Sequence, residues 1–390
     1  MSVRRLAVAA IGVGALAAAV LPSSADTGNN PTYSSVKLRC SGGTGSLQTL
    51  TFSVTDGGKT YDSFALYAVP KHPKGLVVFD HGYQNTAYAW QDHITSTAQH
   101  DNVIAVAVDY HAQDDKGTAD TAKTASSRGW RVREGADDSI WIARQFLDQC
   151  RLNDSKKVVV FGISMGGNTS GLAAAADAKR GTGKPLWNYW VDVEGATNVI
   201  ETYNEASAAA NAGGSTGAYA GDARDDIAQE MGGQSFEQAP DVYAAHTVDL
   251  QVPAIASSGI DGVIVVHGVA DGLVPYNQTR ELTTQLRALG VPVDFWSIAT
   301  KTPGTKSGTT IDTDAGNTDS PFAGHAWEGS DMSGPNSYTV AVVGFERLNA
   351  LLNSTGVSCT ENLFDGATQT TLSSPASCGG AGASPLTRTG

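Results

Sequence analysis

Gly162-Ile163-Ser164-Met165-Gly166 falls directly between the apolar run Val158–Phe161 and a Gly- and Ala-rich stretch that reaches about Ala178. A serine hydroxyl becomes a nucleophile only with a base in hydrogen-bond reach and a third group to orient that base. The surroundings of Ser164 suit the first requirement. A sharp turn from strand into helix lifts Oγ clear of a sheet, and glycines two residues to either side let the backbone close up around it. Further on, Asp271 follows another apolar run, in His267-Gly268-Val269-Ala270-Asp271-Gly272-Leu273-Val274-Pro275, and His325 is the one histidine beyond it. In such a set Ser164 attacks a carbonyl, His325 takes its proton and returns it to the leaving group, and Asp271 fixes the imidazole tautomer. The backbone N–H groups of Tyr83 and Met165 are the expected donors to the developing oxyanion, each worth about 3 kcal/mol.

Other residues compete for these roles. Asp192 and Glu194, at the end of a further apolar run, are alternative acids. His72, His93, His100, His111 and His246 lie before Asp271, and His81 and His267 belong to His-Gly turns that build loops. Aromatic residues gather near the same loops: Tyr83, Tyr88, Trp90, Tyr110, Tyr276 and Trp327. Rim packing would account for them, and so would a substrate pocket, for which Tyr83, Trp327, Tyr276 and Trp90 are the candidates. Asp312, Asp314, Asn317 and Asp319 lack the spacing of a calcium loop, and no thiolate–histidine cluster is present, so no metal is expected. There is no dinucleotide fingerprint or phosphate-binding lysine motif, and the triad needs no cofactor.

To bring these residues together the chain must place them at one edge of a sheet. Leu47–Val54 and Ser63–Pro70 read as strands around the turn Asp56-Gly57-Gly58-Lys59. Gly75–Gly82, Asn102–Tyr110, Lys157–Gly162, Asn188–Gly195, Asp261–Gly268 and Val293–Ile298 are apolar enough to be buried on both faces. Between them the period changes. Val132, Ala136, Ile140, Ala143 and Leu147 fall on one face of a helix over 132–149, and Leu282, Leu286 and Leu289 on one face of a helix over about 276–289. Helices from about 90 and over about 337–352 complete the alternation. Strands separated by crossover helices make a mostly parallel sheet covered on both faces, with the early antiparallel pair at its edge. Residues 197–252 interrupt the rhythm, as a long helical connection or a small cap.

The stretch from about 63 to 352 resembles the α/β-hydrolase family, three quarters of the chain. The likeness rests on the Gly162–Gly166 motif, on His81-Gly82-Tyr83 after an apolar strand, on the Asp271 motif and on Gly324-His325 before the last helix. It implies an α/β fold with a mostly parallel eight-stranded sheet, helices on both faces, and a nucleophile–acid–base triad in that chain order. The reading that follows is a serine hydrolase cleaving carboxylic esters, of small molecules, lipids or polymers. A peptidase of prolyl-oligopeptidase type is the next reading, although only about 50 residues precede the core, too few for the β-propeller such peptidases usually carry. A catalytically silent binding protein is the third.

Composition bounds the rest. The chain has 390 residues, 41% hydrophobic and 17% charged, with a formal charge of −13. The apolar share suffices for a large core, and the acidic balance excludes binding to a nucleic-acid backbone. Arg4 and Arg5 precede the apolar run Leu6–Leu21 and the small residues Ser23 and Ala25. That is the pattern of a signal peptide over 1–25, through the general or the twin-arginine route, and implies secretion. No later stretch is apolar and long enough to span a bilayer. Cys40, Cys150, Cys359 and Cys378 allow three pairings. Cys359–Cys378 closes a short loop, which leaves Cys40–Cys150. The expected organisation is the signal peptide, a hydrolase domain over 36–355 and a disulfide-pinned extension with a loose tail over 356–390.

Overall fold

A computed structural model describes residues 30–40, 43–113, 129–269, 271, 273–298, 325, 339–354, 356–365 and 370–379. The proposed signal peptide, the loop 309–319, Trp327 and the tail beyond 380 lie outside the described residues.

The strands are β1 (Thr32–Tyr33), β2 (Leu47–Asp56), β3 (Lys59–Ala68), β4 (Leu76–Asp80), β5 (Ile104–Val108), β6 (Val158–Ile163), β7 (Tyr189–Val193), β8 (Gly262–Gly268), β9 (Val293–Ile298), β10 (Thr360–Asp365) and β11 (Thr370–Pro375). They form one sheet in the order β1-β2-β3-β5-β4-β6-β7-β8-β9-β10-β11. The seven from β5 to β10 in that order run parallel to their neighbours. Antiparallel strands finish both edges. Among the described residues the sheet therefore has eleven strands where eight are expected. The extra three are the short β1 and the pair β10–β11, whose polar sequences carry no buried-strand signal. Residues 360–375, read from sequence as an extension, thus prolong the sheet by pairing β10 with β9.

Local chemistry explains the elements. Gly57 and Gly58 both take positive φ, 54° and 78°, which closes the β2–β3 hairpin in two residues with Asp56 opposite Lys59. Alternate residues of the central strands feed opposite cores. Val78, Val106, Val160 and Val265 meet one set of helices, and Phe79, Ala107, Phe161 and Val266 the other. The helices are α1 (Gln91–Asp101), α2 (Val132–Gln149), α3 (Met165–Ala175), α4 (Val199–Ala212), α5 (Gly214–Glu230), α6 (Pro240–His246), α7 (Val248–Ser258), α8 (Tyr276–Ala288) and α9 (Thr339–Asn353). Helices α2, α3, α7 and α8 cover the first face, and α1 and α9 the second. α2 spans the expected residues, whereas α8 stops one short, so Leu289 is exposed instead of facing inward. Disulfides join Cys40 to Cys150 and Cys359 to Cys378. Among the described residues no helix is long and apolar enough to cross a membrane.

The interruption at 197–252 is helical throughout its longer pieces. Its α4–α5 pair packs over the carboxyl edge of the sheet through a third apolar cluster that includes Tyr83, Trp130, Met165, Val199, Ala223, Ile227 and Val274. Polar clasps bind it there. Arg131 pairs with Glu230 at 3.2 Å, and Tyr83 donates to Asp226 at 2.5 Å.

Several acids sit where water does not reach. Burial, reinforced by Glu230, raises Glu134 to about 8. Burial with Asp249 raises Asp192 to about 8, and burial raises Asp249 to about 7. Burial alone would push His111 down, but Asp138 at 2.8 Å raises it to about 9. These acids keep protons in the fold that the unfolded chain loses from about pH 4 upward, so stability falls as pH rises towards 8; the His111 contribution is complete below about 6.5 and is lost towards 9. The thermal midpoint should therefore be higher at pH 5.5 than at pH 8.5, by about 3 °C or more in scanning calorimetry. Asp192→Asn should flatten that slope, and a midpoint that climbs with pH would refute the assignment.

Candidate active site

Ser164 is the residue between β6 and α3, with φ 59° and ψ −127°. A non-glycine held in such a region costs about 1–3 kcal/mol and persists only when its surroundings fix it. Here Ser164 N–H donates to Val193 O at 3.0 Å, and its carbonyl accepts from Gly167 N at 2.8 Å and Ala196 N at 3.1 Å. The flanking glycines are required by contact. A Cβ on Gly162 would lie 1.9 Å from Gly166 O, and one on Gly166 would lie 2.1 Å from Asp80 O. Met165 opens α3, in the first turn whose N–H groups have no acceptor within the helix. No acidic side chain stands in that turn to offset the positive end of the dipole.

Asp271 and His325 come together although 54 residues separate them: Nδ1 of His325 lies 2.8 Å from Asp271 Oδ2. The other carboxylate oxygen accepts from the backbone of Leu273 at 2.7 Å and Val274 at 3.0 Å, so the group is fixed from its own loop. Burial opposes its ionisation, but His325 and the hydrogen bonds from His267 and His325 outweigh burial and hold Asp271 below the usual carboxylate range. An ionised Asp271 accepts the Nδ1 proton and leaves the lone pair on Nε2, a buried atom with no hydrogen-bond partner among the described residues. His267 lies beneath, with Nε2 3.0 Å from Val274 O and Nδ1 3.0 Å from Thr279 Oγ1. His81 stacks on Tyr110 at 3.9 Å, and the Tyr110 hydroxyl donates to its carbonyl.

Ser164 and Asp271 line one cavity of about 350 Å³. Its walls are largely apolar and aromatic: Tyr83, Trp130 and Tyr219, with alanines from α4 and α5 and the Leu273–Pro275 loop. Of the pocket candidates, Tyr83 lines this cavity. Trp90 does not. It is fully buried beside Phe79, Phe161 and Phe345, because the helical turn before α1 points it into the second core. Tyr276 also stands aside, stacked on Phe295 with its hydroxyl 2.5 Å from Ser297 Oγ. Tyr219, Thr202 and Glu205 were not legible as lining residues, since α4 and α5 carry no residue pattern tied to chemistry, and neither was Trp130, which precedes α2 outside any motif. Of the alternative acids, Asp192 sits against Gly167 and Gly195, and Glu194 comes within 3.6 Å of His325 Nδ1.

A mostly parallel sheet with helices on both faces, its strained serine turn and its Asp–His pair define an α/β hydrolase, and the chain is a serine hydrolase. The profile of the prolyl oligopeptidase family matches residues 89–307, more than half of the chain. The chain belongs to that family. The match includes Ser164 and Asp271 and ends before His325. No curated protein matches. Among solved structures, an esterase from Pyrobaculum calidifontis is 17% identical, over 64% of this chain and 75% of its own, with a TM-score of 0.44. An acylaminoacyl peptidase from Pyrococcus horikoshii is 14% identical over 65% of this chain and 37% of its own, at 0.42. A puromycin hydrolase is 15% identical over 65% and 35%, at 0.44. At these scores the likenesses decide nothing about the reaction.

Gly162→Ala and Gly166→Ala should each lower stability by about 2 kcal/mol or more, because the new methyl meets backbone and not a movable side chain. Chemical denaturation reads this directly. A wild-type midpoint in either variant would mean that the turn is not packed as described.

Proposed function

We propose that this protein cleaves carboxylic esters through an acyl-enzyme on Ser164. His325 acts as the general base and then as the general acid, Asp271 orients it, and the N–H groups of Tyr83 and Met165 receive the oxyanion. The observation that carries this reading is the 2.8 Å pairing of His325 with Asp271, an acid that opens with Ser164 onto the same cavity. Removal of the serine proton by Nε2 lets Oγ attack the carbonyl carbon; the tetrahedral oxyanion then collapses, and the leaving alkoxide takes that proton. Water repeats the sequence and releases the acid.

The apolar and aromatic walls favour an acyl or aryl group over a polar one. Membership of the prolyl oligopeptidase family favours peptide or amide bonds as the second reading. We read 197–252 as a cap over the site of a hydrolase domain whose sheet reaches beyond the expected 36–355 to take in residues 360–375. Two disulfides fit an oxidising compartment, and the pattern over 1–25 fits export, so we place the working protein outside the cytoplasm.

A fluorophosphonate probe should label the wild type and not Ser164→Ala, and the variant should lose about 10⁴-fold or more in kcat. An unlabelled, folded wild type would support a binding protein instead. Across a panel of acyl esters of graded length and aminoacyl anilides, esters should have the higher kcat/KM. Turnover confined to the anilides would replace the esterase reading with a peptidase. The exported protein should begin at Asp26 by N-terminal sequencing, and an intact N-terminus would remove the signal-peptide assignment.

A further inference from the structure

His325 meets two carboxylates. Asp271 takes its Nδ1 hydrogen at 2.8 Å, and Glu194 Oε2 stands 3.6 Å from the same nitrogen. Glu194 has left the end of β7 and entered a left-handed conformation, φ 50°, that few side chains adopt. It is fully buried. Two bonds to the end of β8 hold it there: its N–H donates to Val266 O at 2.9 Å, and Oε1 accepts from Gly268 N at 2.9 Å. An uncharged amide oxygen would serve Gly268 equally well. A carboxylate in a dry site is costly to keep unless a cation shares the space. Around it stand His325, Asp271 and His267, whose Nε2 lies 3.0 Å from Val274 O and 3.4 Å from Asp271 Oδ2 and whose Nδ1 lies 3.0 Å from Thr279 Oγ1. His325 is the group beside Glu194 that gains a positive charge in the reaction, when the proton leaves Ser164.

We propose that Glu194 is a positioning residue for the hydrolysis, a second carboxylate that stabilises the imidazolium of His325 alongside Asp271 and accepts its Nδ1 hydrogen when Asp271 is lost. The proposal rests on the assignment of Ser164, His325 and Asp271 given above. No bond to substrate is involved. In the wild type Asp271 holds the hydrogen bond and Glu194 acts through space. Without the Asp271 carboxylate, shortening the 3.6 Å separation to hydrogen-bond distance restores the correct tautomer.

The test is a double-mutant cycle in ester hydrolysis with Glu194→Gln and Asp271→Ala. Gln keeps an oxygen for Gly268 N–H and removes the charge. Glu194→Gln alone should lower kcat about 5-fold with KM unchanged and move the acidic limb of kcat/KM to lower pH, because a nearby negative charge favours the imidazolium. Asp271→Ala should cost about 10²-fold, and the double variant about 10⁴-fold, the loss expected of a triad without its acid. Charge sharing thus makes Glu194→Gln far more damaging without Asp271 than with it. A purely structural glutamate would give the same factor in both backgrounds and leave the acidic limb in place, and that result would overturn the proposal. Unchanged activity in Asp271→Ala would instead overturn the assignment of Asp271, and this proposal with it. Circular dichroism spectra like the wild type's and cooperative thermal unfolding show that each variant is folded.

Discussion

Ser164 stays at φ 59° because backbone meets backbone on every side of it. Gly162 and Gly166 close to a distance at which no Cβ fits, Gly166 lies against Asp80, and Gly167 lies against Asp192 and Gly195. These contacts tie the ends of β4, β6 and β7 into one knot at the carboxyl edge of the sheet. They also set where α3 begins, and so where Met165 N–H and the helix dipole point. The strain costs free energy locally and is offset by packing across the whole parallel sheet. Loosening the knot would move the nucleophile and an oxyanion donor together.

Charge is managed by the same burial. Against the effect of burial, the site holds one carboxylate, Asp271, well below its ordinary range through His325 and His267. A short distance away, burial raises Asp192 and Asp249 towards neutrality, so they add little field to the imidazole. Buried acids near the site thus differ in protonation according to whether a partner able to become cationic stands beside them. Selectivity among acids comes from partners, not from residue type.

Polar contacts join the inserted helices to this arrangement. Tyr83, next to the strand that precedes it, donates to Asp226 of α5, and Arg131 at the start of α2 pairs with Glu230 of the same helix. The alanine faces of α4 and α5 then supply smooth walls to the cavity. Small side chains let two helices lie close over the carboxyl edge without filling the space above Ser164. The cavity is therefore shaped by the aromatic groups Tyr83, Trp130 and Tyr219 rather than by the cap's bulk.

Strands buried on both faces announce themselves as runs of Val, Ile and Phe, and a turn with glycines at fixed offsets announces its serine. The parallel core and the position of Ser164 were for that reason legible along the chain. So was the spacing of Val132, Ala136, Ala143 and Leu147 on α2, all buried. Strands β10 and β11 were not, because an edge hairpin with polar faces has no apolar run to read. Trp90 turns to the core, and in sequence an aromatic near a loop looks the same whether it faces a pocket or a core. Tertiary structure alone decided which acids face His325. Hydrogen bonds between residues 54 or more apart depend on strand order and loop path, and neither is encoded in the local periodicity that a sequence displays.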